Sequence, residues 1–180
     1  MEFGMFHEFQ RSPGQTEAEA FAEAFAQVDA AERWGLDAMW LAELHVAPDR
    51  SVLAAPLTVA AAIAARTQRM KIGIAVQVLP LCHPLRLAEE AATVDHLSHG
   101  RLIFGVGRSG FPRTYEAYGI PYEESRERFA EVLEILRRAW SRSRRRCRGW
   151  WRRCGSPATA AGPASAPGRR RGSGRTCPRN

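Results

Sequence analysis

The stretch LPLCHPLRLAEE at residues 79–90, followed by DHLSHGRLIFGVGRSG at residues 95–110, decides the fold. The apolar run MKIGIAVQVL leads into it over residues 70–79, and such a run is typical of a strand covered on both faces of a parallel sheet. A helix is predicted to begin at Pro84, because proline is favoured in the first helical turn. A second apolar run, RLIFGV, follows at residues 101–106. The stretch therefore predicts a strand, a crossover helix and a parallel strand.

The same alternation continues on both sides of this stretch. Strands are predicted at residues 2–6 and 36–41, and helices at residues 16–34, 52–67 and 123–140. The first helix opens with a capping box, Thr16 followed by Glu19, and ends before Gly35. Residues 1–140 thus form four βα units, an α/β fold. Either a doubly wound open sheet or half of a (β/α)8 barrel fits, since a full barrel takes roughly 250 residues.

The basic charge of the chain is confined to its last 40 residues. The 180 residues carry a net charge of +7, but residues 1–140 hold all 19 acidic and 14 of the 26 basic residues, a net of −5. Residues 141–180 contain 12 arginines and no acid, and they lack Val, Ile, Leu, Met, Phe and Tyr. Such a composition cannot bury enough apolar surface to fold, so we predict a disordered, low-complexity tail that is rich in Arg, Gly, Pro and Ala.

The tail has three interpretations. Its charge predicts binding to nucleic acid, but only of a non-specific, salt-sensitive kind. A zinc site is disfavoured because Cys147 and Cys154 have the wrong spacing and the tail has no histidine. The third interpretation is a frameshift near codon 141, because acids, aliphatics and periodicity are all lost there.

Cellular location is predicted from what residues 1–140 contain. Cys82 is their only cysteine, which favours a reduced, intracellular domain over a disulfide scaffold. The sequence shows neither a secretory signal nor an apolar run of membrane-spanning length. We therefore expect a cytoplasmic protein without a membrane partner.

Glycine-rich and polar residues follow the predicted strands. GVGRSG at residues 105–110 matches the dinucleotide-binding pattern, but no helix is predicted to start directly after it, so a glycine-rich turn is the favoured interpretation.

Polar residues follow the predicted strands at their carboxyl ends, and ligands bind at this edge of a parallel sheet. No metal-ligand cluster or nucleophile–base pair stands out at that edge, so a cofactor is expected to supply the chemistry. The polar residues expected there are Glu43, His45, Gln77, His83, Arg108, Ser109 and Arg113.

Residues 1–140 resemble the N-terminal half of the bacterial luciferase-like, flavin-dependent monooxygenases. The resemblance is carried by GLDAMWLAELH at residues 35–45, by the run at residues 72–110 that contains both opening stretches, and by FPRTYEAYGI at residues 111–120. It selects a partial (β/α)8 barrel over the doubly wound sheet.

The resemblance implies an oxidoreductase that uses reduced FMN, or in some relatives a deazaflavin, and O2 to oxidise a small organic substrate such as an aldehyde. A flavin reductase is the implied partner. The peptide bond between Ala75 and Val76 corresponds to a family position that is often cis and lies under the flavin ring. The implied cofactor-binding residues are Glu43, Ala75, Val76, Gln77, Arg108 and Ser109, with no metal site.

The sequence departs from the family in two respects. Luciferases have Glu-His-His where this chain reads ELH, so Leu44 replaces the first, catalytic histidine and His45 becomes the catalytic candidate. The βα units that supply much of the family's flavin-phosphate site are absent, so we expect a truncated and potentially inactive enzyme. Exposed edge strands pair readily with other chains, which allows a homodimer.

Overall fold

Four parallel strands alternate with helices in the computed structural model, which describes residues 1–142. The last helix runs to Arg142, two residues into the predicted tail, and the predictions made for residues 143–180 lie outside the described residues. The strands form one sheet in the order β1-β2-β3-β4, with every neighbouring pair parallel. This confirms the predicted α/β fold, and the sequential strand order is that of consecutive strands in a barrel. The strands are β1 Gly4–His7, β2 Ala38–Leu41, β3 Lys71–Val78 and β4 Leu102–Gly107.

Five helices connect and follow the strands. The capping box of the first is confirmed, because the Thr16 hydroxyl accepts from the Glu19 amide while the Glu19 carboxylate accepts from the Thr16 amide. Gly35 follows that helix with a φ of +87°, the left-handed conformation that glycine adopts without strain. The helices are α1 Glu17–Arg33, α2 Pro56–Arg66, α3 Pro84–Leu97, α4 Pro112–Ala117 and α5 Ser125–Arg142.

Two elements differ from the sequence prediction. Helix α2 begins at Pro56 and not at Val52, because proline stands in its first turn and favours an extended residue before it. Residues 112–117 were predicted as a loop but form the short helix α4, which also begins on a proline. The existence and order of the longer elements are as predicted.

The two faces of the sheet have different surroundings. One face packs against the helices and contributes Met39, Leu41, Ile72, Ile74 and Phe104 to the buried core. The other face carries Phe6, Trp40, Gly73 and Ile103 in register across the four strands. Phe6 is 55% exposed, and the Trp40 ring covers Gly73 so closely that a Cβ there would lie 2.2 Å from a ring carbon. This second face corresponds to the interior of a barrel. No helix among the described residues is long and apolar enough to cross a membrane.

Candidate active site at the carboxyl edge of the sheet

The carboxylate of Glu43, just after β2, organises the carboxyl edge of the sheet. Its side chain is 3% exposed. One oxygen accepts from His45 Nε2 at 2.8 Å, and the other accepts from Gln77 Nε2 at 2.7 Å and from the Val78 amide at 2.6 Å. Three N–H donors match an ionised carboxylate, which only accepts. Glu43 thus joins the ends of β2 and β3.

The imidazole of His45 lies between this carboxylate and a phenol. Because the carboxylate only accepts, Nε2 must carry a proton, and in the neutral imidazole this leaves Nδ1 as the acceptor. The Tyr118 hydroxyl lies 3.2 Å from Nδ1, and the two rings meet edge to face with centroids 5.2 Å apart. The His45 side chain is 9% exposed. A buried carboxylate therefore fixes both the orientation and the tautomer of this histidine.

Gln77 contacts both Glu43 and Cys82, and so links the carboxylate to the thiol. The Gln77 amide nitrogen that donates to Glu43 also lies 3.6 Å from the Cys82 sulfur, and the thiol donates to the Val78 carbonyl at 3.5 Å. Among the described residues, Gln77 Oε1 is buried without a hydrogen-bond partner. Burial, and then the negative charge of Glu43, raise the pKa of Cys82 to about 12. Cys82 is therefore a protonated packing group at this edge and not a nucleophile.

Two cavities lie on either side of the Glu43–His45 pair, and both residues line each of them. The first cavity, of about 240 Å³, lies where α2 and α3 begin, and Cys82 and Tyr118 also line it. The second cavity, of about 230 Å³, is bounded by the turn after β4, including Ser109. His45 can therefore face a ligand in either cavity.

Two of the glycines in GVGRSG lie within β4: Gly105, which the predicted strand over residues 101–106 already includes, and Gly107, which was predicted in the turn. A Cβ on Gly105 would lie 2.3 Å from the Ile74 carbonyl oxygen, and one on Gly107 would lie 2.3 Å from a Val76 methyl. Close contact between β3 and β4, and not a phosphate-binding turn, therefore requires these glycines. The Ala75–Val76 peptide bond is cis, the isomer that the family resemblance implies, and Val76 remains 38% exposed.

Arg108 is held by residues that sequence reasoning missed. Its Nη1 donates to the Ser125 hydroxyl at 2.7 Å, and its guanidinium carbon lies 5.5 Å from the centroid of the Tyr122 ring. The Tyr115 hydroxyl donates to the Arg108 carbonyl oxygen. Ser109 follows in the left-handed region, with a φ of +61°. A cation is thus fixed at the carboxyl end of β4.

The remaining edge residues are placed less centrally. His83 is the N-cap of α3, with its ring nitrogen 3.5 Å from the Arg86 amide, and it lines the first cavity. Arg113 lines the second cavity. The structure therefore brings Glu43, His45 and Gln77 into direct contact, whereas Ala75, Val76 and Arg108 lie on neighbouring parts of the same edge.

Comparison with known proteins agrees with this geometry. A family model described as Luciferase-like monooxygenase matches residues 1–169. Limonene 1,2-monooxygenase from Rhodococcus erythropolis is 36% identical over 111 residues, which cover 62% of this chain and 28% of that protein. Monooxygenase RslO1 from Streptomyces bottropensis is 31% identical with a TM-score of 0.73, over 78% of this chain and 43% of that one.

A second solved structure is a flavin complex. It is the oxygenating constituent of 3,6-diketocamphane monooxygenase from Pseudomonas putida in complex with FMN, with 25% identity and a TM-score of 0.74 over 79% of this chain and 40% of that one. The chain thus spans less than half the length of these relatives and covers only part of their barrel. By sequence and by fold, the chain belongs to the luciferase-like monooxygenase family.

Proposed function

We propose that residues 1–140 form the flavin-facing half of a monooxygenase active site, which oxidises a small organic substrate with reduced flavin and O2. The observation that carries the proposal is the Glu43–His45 pair, because a buried carboxylate holds an oriented acid–base group between two cavities at the carboxyl edge. Barrel enzymes place their chemistry at this edge. Glu43, His45 and Gln77 act together in this assignment, with His45 as the group that exchanges protons.

The residues at the ends of β3 and β4 fit a flavin. Val76 offers exposed apolar surface, and Gly105 and Gly107 place no side chain in front of it. Ala75 and Val76 would contact the ring system, while Arg108 and Ser109 would contact its polar atoms, since a fixed cation suits an anionic reduced flavin. When bound, the reduced flavin would supply the electrons for oxidation. We propose FMN, because the related diketocamphane enzyme binds it; a deazaflavin is the alternative.

The polypeptide would contribute acid–base chemistry and protection from water. His45 can accept a proton only at Nδ1, because Nε2 already donates to Glu43. The positive charge that this creates would be stabilised by the buried carboxylate. A separate reductase is the partner we propose for supplying reduced flavin, since the diketocamphane protein is named as one constituent of its enzyme.

Anaerobic calorimetric titration with reduced FMN tests the proposal. We expect saturable binding with one flavin per chain, and weakening of about tenfold or more in Arg108→Gln, because a charge-assisted contact contributes about 1.5–3 kcal/mol. Arg128→Gln is the control, since Arg128 pairs with Glu124 on the surface of α5. Parallel titrations with oxidised FMN and a 5-deazaflavin identify the preferred cofactor. No saturable binding of any of these flavins would overturn the proposal.

A second function is favoured by the charge of residues 141–180. Twelve arginines without an acid favour salt-sensitive, sequence-independent contact with nucleic acid or another polyanion. We propose this as a property of the tail that is separate from the flavin site, with the boundary between the two parts at residue 140.

A further inference from the structure

We infer that Tyr118 is the outer member of a proton relay, Tyr118–His45–Glu43, and passes protons between a ligand in the first cavity and His45. The inference rests on the proposed function, because it takes His45 as the acid–base group of the site. It adds a residue that the sequence did not single out and assigns the ligand to one of the two cavities.

Both ring nitrogens of His45 face a partner. Nε2 lies 2.8 Å from the Glu43 carboxylate, which has two further N–H donors and no proton to give. Nδ1 is the only ring atom left to accept a proton, and the Tyr118 hydroxyl already lies 3.2 Å from it. Direct transfer from a ligand to Nδ1 is therefore obstructed, whereas transfer through the hydroxyl is open.

Tyr118 borders the first cavity and contacts His45. It is the C-cap of α4, 47% exposed, and it lines the first cavity but not the second. The His45 side chain, by contrast, is 9% exposed. A ligand in the first cavity can therefore reach the phenol oxygen more readily than the imidazole behind it. The relay has its accessible end at Tyr118 and its buried end at Glu43.

Each proton transfer in the relay is matched by another, so that one proton leaves the ligand and one reaches His45. A ligand O–H or N–H gives its proton to the Tyr118 oxygen, and the hydroxyl proton of Tyr118 moves to His45 Nδ1. The imidazole becomes an imidazolium that still donates to Glu43, and Tyr118 ends as a neutral phenol. The reverse sequence returns the proton. Burial raises the pKa of Tyr118, with smaller contributions from Glu43 and Cys82, which agrees with a neutral phenol at both ends of the transfer.

Nitrogen-15 NMR of histidine-labelled protein tests the contact without any ligand. The chain has five histidines, and a His45→Gln variant identifies the His45 signals. We expect a single tautomer with the proton on Nε2. In Tyr118→Phe, the Nδ1 signal should move towards the position of an acceptor without a hydrogen bond, while Nε2 stays in place. Tyr122→Phe is the matched control, because it removes a hydroxyl that lies outside this contact. An unchanged Nδ1 signal in Tyr118→Phe would overturn the relay.

Turnover separates a relay from a static contact. The probe is decanal with reduced FMN and O2, because its carbonyl oxygen can take a proton from the Tyr118 hydroxyl in the reverse direction of the relay. Tyr118→Phe should then lower kcat about a hundredfold, as expected for loss of one acid–base group, with little change in KM or flavin affinity. An unchanged kcat would overturn the relay even if the NMR contact exists. If the parent chain binds no flavin, the proposed function fails, and the NMR result then decides the contact on its own.

Discussion

Burial at the carboxyl edge of the sheet changes the acidity of the Cys82 thiol. The thiol is enclosed with Gln77 and Glu43, and both burial and the neighbouring carboxylate oppose formation of a thiolate. With a pKa near 12 instead of 9.0, its thiolate fraction at pH 8 is about a thousandfold below that of an ordinary cysteine. The thiol therefore remains protonated at any physiological pH.

We expect Cys82 to react with iodoacetamide about a thousandfold more slowly in the folded protein than in urea at pH 8, because only the thiolate is nucleophilic. The rate should rise tenfold for each pH unit up to about pH 12. Mass spectrometry of the peptide that contains Cys82 measures the rate separately from the other three cysteines. A folded-state rate within tenfold of the urea rate would contradict the assigned environment.

At the same scale, the sequence located some residues of the carboxyl edge and missed others for a physical reason. Glu43, His45 and Gln77 could be predicted, because the ends of parallel strands meet at one edge. Tyr118 and Ser125 could not, because they come from helices whose placement over the edge depends on packing and not on local pattern. Nor could the sequence show that Gln77 turns towards Glu43 and away from Val76.

At the scale of elements, Arg101 ties the amino end of the sheet to two helices. Its Nε donates to the Ser98 carbonyl at 2.8 Å, Nη1 to the Thr67 hydroxyl and the Met70 carbonyl, and Nη2 to the Ala64 and Thr67 carbonyls. All three guanidinium nitrogens are therefore used. Lysine offers a single nitrogen and cannot reproduce this fork.

We therefore expect Arg101→Lys to lower the free energy of unfolding by about 3 kcal/mol, because several carbonyl groups lose a charged donor. Urea unfolding followed by circular dichroism measures the change. Arg86→Lys serves as the control, since Arg86 forms an exposed pair with Glu90 and such pairs contribute about 0–1 kcal/mol. A loss below 1 kcal/mol in Arg101→Lys would show that the fork is not required.

The elements themselves were predicted most accurately where caps mark their ends. The Thr16 capping box and Pro84 placed the starts of α1 and α3 within a residue. Helix α4 was missed because six residues are too few to show a helical period, and it follows directly on the turn at Gly110. A proline start therefore predicts a helix only where a long helical period follows it, as it does in α3 and not in α4.

At the scale of the whole molecule, the chain divides by charge at residue 140, with −5 before it and +12 after it. The fold and the candidate site that the structure describes lie within residues 1–142, while the family match extends to residue 169. Any strong attraction to polyanions must therefore originate in residues 141–180, and it should depend on salt and not on base sequence. Flavin binding and nucleic-acid binding are accordingly expected to be independent of each other.

We expect the affinity for single-stranded DNA to fall linearly on a log–log plot against salt concentration, with equal slopes for oligo-dT and oligo-dA. Replacing Arg169, Arg170 and Arg171 by Gln should reduce the slope by about 2, since each phosphate contact contributes about 0.7 on single strands. The control replaces Arg86, Arg128 and Arg138, each already paired with a glutamate one helical turn away, and should leave the slope unchanged. Equal effects of the two triple variants would show that the folded part of the chain shares in polyanion binding, which would contradict its assignment to the tail. A slope that differs between the two oligonucleotides would show that bases are read as well as phosphates, which charge alone does not explain.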